Sequence, residues 1–155
     1  SAIEAIYTQR VTEHAAILTD VEPAVLHMLA ALREKGIPYG LVSNCDPVEV
    51  MAWGESPLAT LISAPVFSWQ VGYVKPDREI YDLGCARLGT ASAETLFVGD
   101  GGSEELAGAA RAGLTAYQAR WFLDRWPELR RNAQPFPALQ DPSEVLPLLT
   151  GPRLR

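Results

Sequence analysis

The sequence predicts an α/β domain in which a mostly parallel β-sheet is covered by helices on both faces. Short continuous apolar runs alternate with segments of helical periodicity, and turn-forming residues follow the apolar runs. Continuous apolar runs are typical of parallel strands buried on both faces, and the strand–helix alternation is typical of a doubly wound sheet. A chain of 155 residues is also the right size for one hydrophobic core.

Composition narrows the class of protein. The 13 basic and 19 acidic residues give a net charge of −6, which argues against a nucleic-acid-binding surface. No apolar run approaches the roughly 18 residues that a membrane span needs. Cys45 and Cys85 are too few and too far apart for a disulfide framework, and the two histidines do not cluster with them at zinc-ligand spacing. We expect a soluble, cytoplasmic protein with neither a nucleic-acid nor a membrane partner.

Two helices are predicted at the start of the sequence. Apolar residues recur at helical spacing from Ile3 onward, which predicts a first helix that ends near Leu18. Pro23 suits the first turn of a second helix, and Gly36 marks its end. The apolar positions of this second helix are Val25, Leu29 and Leu32.

After these two helices, the sequence predicts alternating strands and helices. Strands are expected at residues 37–42, 65–69 and 95–98, with a fourth near residues 115–117. Between them, the pattern predicts a short helix at residues 48–53 and longer helices at residues 77–89 and 103–113, the longer two each ending at a glycine.

The C-terminal part is expected to hold an ordered surface loop and one last helix. Residues 121–137 are rich in aromatic residues, arginine and proline, and one helical turn is predicted at residues 124–130. Asp141 suits an N-cap, Pro142 the first helical position, and Glu144 the partner in a capping box.

Polar side chains collect where the predicted strands end. Six of them follow the first three strands: Ser43 and Asn44 after the first, Lys75 after the second, and Asp100, Glu104 and Glu105 after the third. Ligands of parallel sheets bind beyond the carboxyl ends of the strands. A hydroxyl, backbone N–H groups, a cation and carboxylates are the groups that hold a phosphoryl group and a divalent metal.

Each of these signals alone has an ordinary structural explanation. Ser43 and Asn44 suit a turn, Lys75 suits a solvated loop, and an acidic residue in the first turn of a helix is attracted by the helix dipole. Asp100 is harder to explain structurally. It lies between two glycines at a strand end, and glycine is favoured where the backbone approaches a ligand closely.

The order of these segments resembles the haloacid dehalogenase (HAD) superfamily over about residues 21–149. Three motifs carry the resemblance: Val42-Ser43-Asn44, Gly72-Tyr73-Val74-Lys75-Pro76-Asp77, and Phe97-Val98-Gly99-Asp100-Gly101-Gly102-Ser103-Glu104-Glu105-Leu106-Ala107-Gly108-Ala109 followed by Ala112-Gly113. The resemblance implies a Rossmann-like, three-layer sandwich.

The resemblance also implies a role for each candidate residue. Ser43, with the backbone of Asn44, would hold the substrate phosphoryl group, and Lys75 would neutralise its charge. Ser43 and Lys75 are therefore the expected catalytic residues of this chain. Asp100 would bind Mg²⁺, and Glu105, more than Glu104, would support the metal or the lysine. The family usually has aspartate rather than glutamate at the position of Glu105.

One part of the family pattern is missing from the sequence. The family nucleophile is an aspartate at the end of a first strand that precedes a helical cap, and no such segment lies before Ser43. Asp20 lacks the second acid two residues later. We therefore expect residues 1–20 to be a remnant of the cap and linker, and residues 21–155 to be the core domain.

The missing strand has a predicted place in the fold. Family topology puts it between the strand ending at Val42 and the strand ending at Val98, so its absence leaves two unpaired strand edges. A separate N-terminal fragment or a second copy of the chain could complete the sheet, and the two edges could also pair directly.

The function predicted from this resemblance is a Mg²⁺-dependent phosphatase that acts on a small phosphomonoester through an aspartyl-phosphate. Without the nucleophile segment, the chain alone should be inactive. A dehalogenase is less favoured because the Asp100 motif supplies a metal carboxylate that halide displacement does not need. The alternative is a non-catalytic phosphate-binding or regulatory module. A dinucleotide-binding loop is excluded because Glu104 stands where its third glycine is required.

Overall fold

The strands of the protein form two separate parallel sheets in the computed structural model, which describes residues 1–128 and 133–151. One sheet pairs β1 with β2, and the other has the order β3-β4-β5. The strands are β1 (Val42–Ser43), β2 (Val66–Phe67), β3 (Leu96–Gly99), β4 (Thr115–Ala119) and β5 (Ala138–Leu139). The predicted α/β class and parallel pairing are therefore confirmed.

Six α-helices are present in the described residues. They are α1 (Ala2–Thr19), α2 (Pro23–Glu34), α3 (Ser68–Val71), α4 (Arg78–Leu88), α5 (Glu105–Arg111) and α6 (Val145–Thr150). Helices α4 and α5 pack against each other, α4 on β1 and β2 and α5 on β3 and β4. Helices α2 and α6 pack against each other elsewhere in the fold.

The main hydrophobic core lies between the strands and helices α4 and α5. Val66 of β2, Ile80 and Tyr81 of α4, and Leu106 and Ala109 of α5 are at most 1% exposed. Leu106 and Ala109 are three residues apart and so share one face of their helix. This core fixes α5 beside the loop that precedes α4.

Helix α1 is attached at the edge of the domain and contains no buried residue. Arg10 donates a hydrogen bond to Asp46 at 2.8 Å, and the Ser56 hydroxyl donates to the Leu18 carbonyl at 2.6 Å. Ile3 and Ile6 on the same helix are exposed. Among the described residues no single helix meets the length and apolarity needed to cross a membrane, and α1 with α2 meets it only as a pair bent by 53°.

Several predicted element boundaries were wrong. The strand predicted at residues 37–42 has ladder pairing only at Val42–Ser43, and the strand predicted at 65–69 ends at Phe67, where α3 begins. Residues 48–52 form turns rather than a helix, followed by a 3-10 helix at Trp53–Glu55. The helix predicted from Ser103 begins as a 3-10 turn and becomes α-helical only at Glu105.

The C-terminal predictions were met in part. The capping box of Asp141 and Glu144 is present, in a 3-10 turn (Pro142–Glu144) that leads into α6. Strand β5 was not predicted, because two residues give too short a pattern. A 3-10 helix spans Trp121–Asp124, and the helical turn predicted at residues 124–130 extends beyond the described residues, since 129–132 lie outside them.

A cleft of about 850 Å³ separates the two sheets. Residues of β1 and β3 line it, and helices α2 and α6 also contribute to its wall. The Tyr39 side chain lines the same cleft, and its buried hydroxyl has no hydrogen-bond partner. Within the part of the chain that the structure describes, β1 and β3 do not pair with each other. Direct re-pairing of the two edges, one of the outcomes considered from the sequence, therefore does not occur.

Candidate functional site

The ammonium group of Lys75 is held by a buried carboxylate at the end of the cleft. Its Nζ forms an ion pair with Glu105 Oε2, and the two side chains are only 13% and 6% exposed. The Phe97 ring lies under the same ammonium, with 5.8 Å between Nζ and the ring centroid. A cation over an aromatic face is attracted by the ring quadrupole. Lys75 is therefore fixed rather than solvated.

The side chain of Asn44 joins the loop after β1 to the loop that carries Lys75. Its Nδ2 donates to the Lys75 carbonyl at 2.9 Å, and its Oδ1 accepts from the Lys75 N–H at 2.7 Å. This carboxamide thus satisfies both backbone groups of the lysine. The side chain of Asn44 therefore has a structural role, while the resemblance implies ligand binding only for its backbone.

A second side chain holds the loop after β1. The hydroxyl of Ser68, at the start of α3, accepts from the Cys45 N–H at 3.0 Å and donates to the Cys45 carbonyl at 3.1 Å. Burial raises the pKa of the Cys45 thiol. Ser43, immediately before this clamp, lines the cleft together with Lys75. Side-chain hydrogen bonds at Asn44 and Cys45 therefore hold the two residues that follow Ser43.

Glu105 connects the lysine to the glycine loop after β3. Its Oε1 accepts from the Gly101 N–H at 3.0 Å, while its backbone carbonyl accepts from the Tyr81 hydroxyl at 2.8 Å. Burial, followed by the charge of Glu105, raises the pKa of Tyr81. A Cβ at Gly99 would lie 2.2 Å from Glu105 Oε1, so a larger residue there would displace the Glu105 carboxylate. Of its two implied roles, the geometry gives Glu105 that of supporting the lysine.

Asp100 lies at the exposed tip of the same loop. Its Oδ1 accepts from the Gly102 N–H at 2.7 Å. The two residues before α5, Ser103 and Glu104, have φ values of 53° and 51°, in the left-handed region that non-glycine residues seldom adopt. This backbone turns the chain sharply, so Glu105 points back over the loop while Glu104 stays exposed.

The donor chemistry at Asp100 fits Mg²⁺ as one part of a site. Mg²⁺ is usually held by one or two carboxylates together with waters and phosphate oxygens. Among the described residues, no group of three or more His, Cys, Asp or Glu side chains is placed to hold a metal. Asp100 could supply one carboxylate, and a complete site needs oxygens from elsewhere.

Five of the six sequence-predicted residues meet at one end of the cleft: Ser43, Asn44, Lys75, Asp100 and Glu105. Glu104 is outside the cleft lining, and so is Asp20, whose carboxylate pairs with Arg125 at 2.7 Å beside the end of α1. The acidic residues that line the cleft within the described ranges are Glu94, Asp100 and Glu105.

A family model for haloacid dehalogenase-like hydrolases matches residues 2–113, more than half of the chain. The chain belongs to this family. Among solved structures similar to this HAD-like hydrolase is a HAD phosphatase from Thermococcus onnurineus, with 25% identity and a TM-score of 0.66 over 86% of this chain and 60% of that one.

Dehalogenases resemble this HAD-like hydrolase about as closely. A 2-haloacid dehalogenase from Pseudomonas syringae pv. Tomato DC3000 is 25% identical, with a TM-score of 0.60 over 84% of this chain and 53% of that one. Another dehalogenase structure is 25% identical, with a TM-score of 0.63 over 83% and 56%. The chain thus spans between half and two thirds of these structures. No curated protein matches its sequence significantly.

Several residues that build the site of this HAD-like hydrolase were not found from the sequence. Phe97 and Ser68 occur in predicted strands and Tyr81 in a predicted helix, where each looks like an ordinary buried residue. Gln118 is a further case, a polar residue 3% exposed in β4. Gln118 directly follows a predicted strand, and its polar side chain at that place was the available signal, although it does not indicate which residues Gln118 contacts.

Proposed function

We propose that this chain carries the phosphoryl-binding and metal-binding part of a Mg²⁺-dependent hydrolase that acts on a small phosphomonoester. The observation that supports this most is the buried Lys75–Glu105 ion pair at the carboxyl ends of parallel strands. A cation held in a cleft attracts an anionic substrate more strongly than a solvated one, because water screens it less.

Each residue has a distinct part in this proposal. The Ser43 hydroxyl and the Asn44 backbone N–H bind phosphoryl oxygens, and Lys75 offsets their charge. Glu105 and the Asn44 carboxamide keep Lys75 in place. Asp100 holds the metal, which would neutralise charge that develops on the phosphoryl group.

The proposal requires a nucleophile that the described residues do not supply. In the family mechanism an aspartate attacks phosphorus, and water hydrolyses the resulting aspartyl-phosphate. Of the acidic residues in the cleft, Glu105 is engaged by Lys75, Asp100 is assigned to the metal, and Glu94 precedes β3 at the other end of the strand. We expect the attacking carboxylate to come from a strand outside these 155 residues.

The cleft has features suited to such a strand. A strand placed between the two sheets could hydrogen-bond to the free edges of β1 and β3. Strand β1 is parallel to β2, and β3 is parallel to β4. The cleft is also lined by apolar residues that a buried strand could pack against, including Leu29, Leu32, Leu41 and Val98. We propose an N-terminal fragment as the source, with residues 1–20 as the remnant of the cap and linker and 21–155 as the core. A second copy of the chain is the alternative.

Two alternative functions remain to be tested against this one. The similarity to dehalogenases favours halide displacement, which needs no metal at Asp100. A non-catalytic phosphate-binding or regulatory module would bind phosphate without turnover. Either would take a small molecule rather than nucleic acid or membrane, and we place the protein in the cytoplasm, where free Cys45 and Cys85 are expected.

Calorimetric titration with inorganic phosphate tests the binding part. We expect Lys75→Ala to weaken phosphate binding at least about tenfold, because the buried cation is lost. The chain has one other lysine, exposed Lys35, so Lys35→Ala is the matched control and should bind like wild type. Equal affinities for wild type and Lys75→Ala would contradict the proposal.

Complementation tests the catalytic part. The N-terminal segment of the Thermococcus phosphatase can be supplied as a separate polypeptide, and hydrolysis of p-nitrophenyl phosphate measured with Mg²⁺ and with a chelator. Chelator-sensitive hydrolysis by the complex supports a phosphatase. Release of chloride from 2-chloropropionate in the presence of chelator supports a dehalogenase, and a stable complex that binds phosphate without turnover supports the non-catalytic module.

A further inference from the structure

Gln118 is a buried polar residue that the proposed function does not use. It lies on β4, in register with Gly99 on β3, and is only 3% exposed. A buried carboxamide is costly unless its hydrogen bonds are satisfied, so its partners indicate what it holds.

The partners of Gln118 are the glycine loop and the segment before β5. Its Nε2 donates to the Asp100 carbonyl at 2.9 Å, and its Oε1 accepts from the Gln134 N–H at 3.1 Å. Arg120 Nη1 lies 3.5 Å from the same Oε1. Gln118 therefore ties the backbone of Asp100 to two other parts of the chain.

The loop fits tightly against these two glutamines. Gly101 has a φ of +98°, and a Cβ there would lie 2.8 Å from Gln134 Cγ and 3.3 Å from Gln118 Nε2. The neighbouring N–H groups of Gly101 and Gly102 are bound by the carboxylates of Glu105 and Asp100. Those two hydrogen bonds orient the N–H groups of the loop, while Gln118 binds the carbonyl group of Asp100.

We propose that Gln118 is a positioning residue that holds the Asp100 loop in one conformation, so that the Asp100 carboxylate is presented to the cleft before any ligand binds. The metal-binding consequence rests on the proposed function. The loop-holding role does not. A donor fixed in a buried site limits the rotation of the peptide that it binds, and the side chain of Asp100 follows its backbone.

Gln118→Met tests this, because methionine keeps the length of the side chain and removes both hydrogen-bonding groups. The control is Gln9→Met, the same change on the exposed face of α1. Amide hydrogen exchange is followed by NMR at Gly101 and Gly102 in the loop and at Ala109 in the core. Mg²⁺ alone is then titrated into each protein by calorimetry.

We expect Gln118→Met to speed exchange at Gly101 and Gly102 by about tenfold or more, with Ala109 unchanged, and to weaken Mg²⁺ binding about tenfold. Unchanged loop exchange would overturn the proposal. An equal increase at Ala109 would also overturn it, since the residue would then serve general stability. If wild type binds no Mg²⁺ but the loop alone loosens, the positioning role stands and the metal role of Asp100 fails.

Discussion

Glu105 is the side chain on which the geometry of the site depends most. One carboxylate receives both the Lys75 ammonium and the Gly101 N–H, so it couples the cation to the loop that carries Asp100. The Glu105 carboxylate can lie between Lys75 and the Gly101 N–H because it passes directly over Gly99, which has no Cβ to obstruct it. The family usually has aspartate at this position. Glu105 is one methylene longer, and its carboxylate reaches Lys75.

We expect Asp100→Asn to abolish most of the heat of Mg²⁺ binding, because an amide replaces the exposed carboxylate of the loop that lines the cleft. Calorimetric titration of Mg²⁺ measures this directly. Wild-type binding should itself be weak, since a single protein carboxylate leaves most of the coordination to water.

The control for this titration is Asp82→Asn on α4, an exposed aspartate paired with Arg78 at 3.1 Å. It should bind Mg²⁺ like wild type. Identical heats for wild type and Asp100→Asn would remove Asp100 from the metal site.

The sequence indicated the candidate residues better than it indicated their contacts. Ser43, Lys75 and Asp100 could be found because each follows an apolar strand segment. The direction of the Glu105 side chain depends on positive φ values at Ser103 and Glu104, which no residue-type pattern predicts. Likewise, the pairing of Asn44 with the backbone of Lys75 joins residues 31 positions apart.

Among the helices, α5 fixes the position of the glycine loop after β3 by its close approach to the loop that carries Lys75. A Cβ at Gly108 would lie 2.6 Å from the Tyr81 hydroxyl and 2.7 Å from Pro76 Cβ. Gly108→Ala should therefore lower the free energy of unfolding by about 1–3 kcal/mol, despite the higher helix propensity of alanine. Urea denaturation measures the change.

The matched substitution is Gly54→Ala, in an exposed 3-10 turn where a Cβ meets no atom within 4 Å. It should alter stability by less than about 0.5 kcal/mol. Equal stability of Gly108→Ala and wild type would mean that α5 can shift without cost, and the close approach would then not fix the site.

Helix α1 is joined to the loop after β1 through Arg10 and Asp46. The hydrogen bond from Arg10, followed by bonds from backbone N–H groups, lowers the pKa of Asp46. A lowered pKa in the folded state means that the ionised carboxylate stabilises the fold above its unfolded pKa of about 3.9. This contribution is lost as the pH falls through the folded value.

In Arg10→Met we therefore expect the pKa of Asp46 to rise toward its ordinary value. Carboxyl NMR titration detects this shift. The stabilities of wild type and variant should differ above about pH 4 and converge at lower pH, once Asp46 is protonated in both. If the Asp46 titration is the same in both proteins, the Arg10 contact does not persist in solution.

Element types were easier to predict than element lengths. Helices α2 and α4 follow their apolar periodicity closely, because their buried faces pack on other elements. Strand β1 is shorter than its apolar run, since its register with β2 begins at Val42, with the Leu41 carbonyl accepting from the Val66 N–H at 2.7 Å, and residues 37–40 border the cleft. Strand length depends on neighbours that may be distant in sequence, and the sequence pattern alone does not include them.

The molecule as a whole is divided by the cleft between β1 and β3. The two sheets pack against α4 and α5, yet within the described ranges no strand pairs with their facing edges. The polar end of this cleft holds Lys75, Glu105 and Asp100, so the gap in the sheet and the candidate site are continuous. A strand placed there would bring its last residues next to these three side chains.

Hydrolysis of p-nitrophenyl phosphate by the purified 155-residue chain decides whether the site is complete. We expect no Mg²⁺-dependent turnover above the level of Asp100→Asn, because among the described residues no carboxylate is available in the cleft to act as the nucleophile. Robust Mg²⁺-dependent hydrolysis by this chain alone, abolished by Asp20→Asn, would contradict the account.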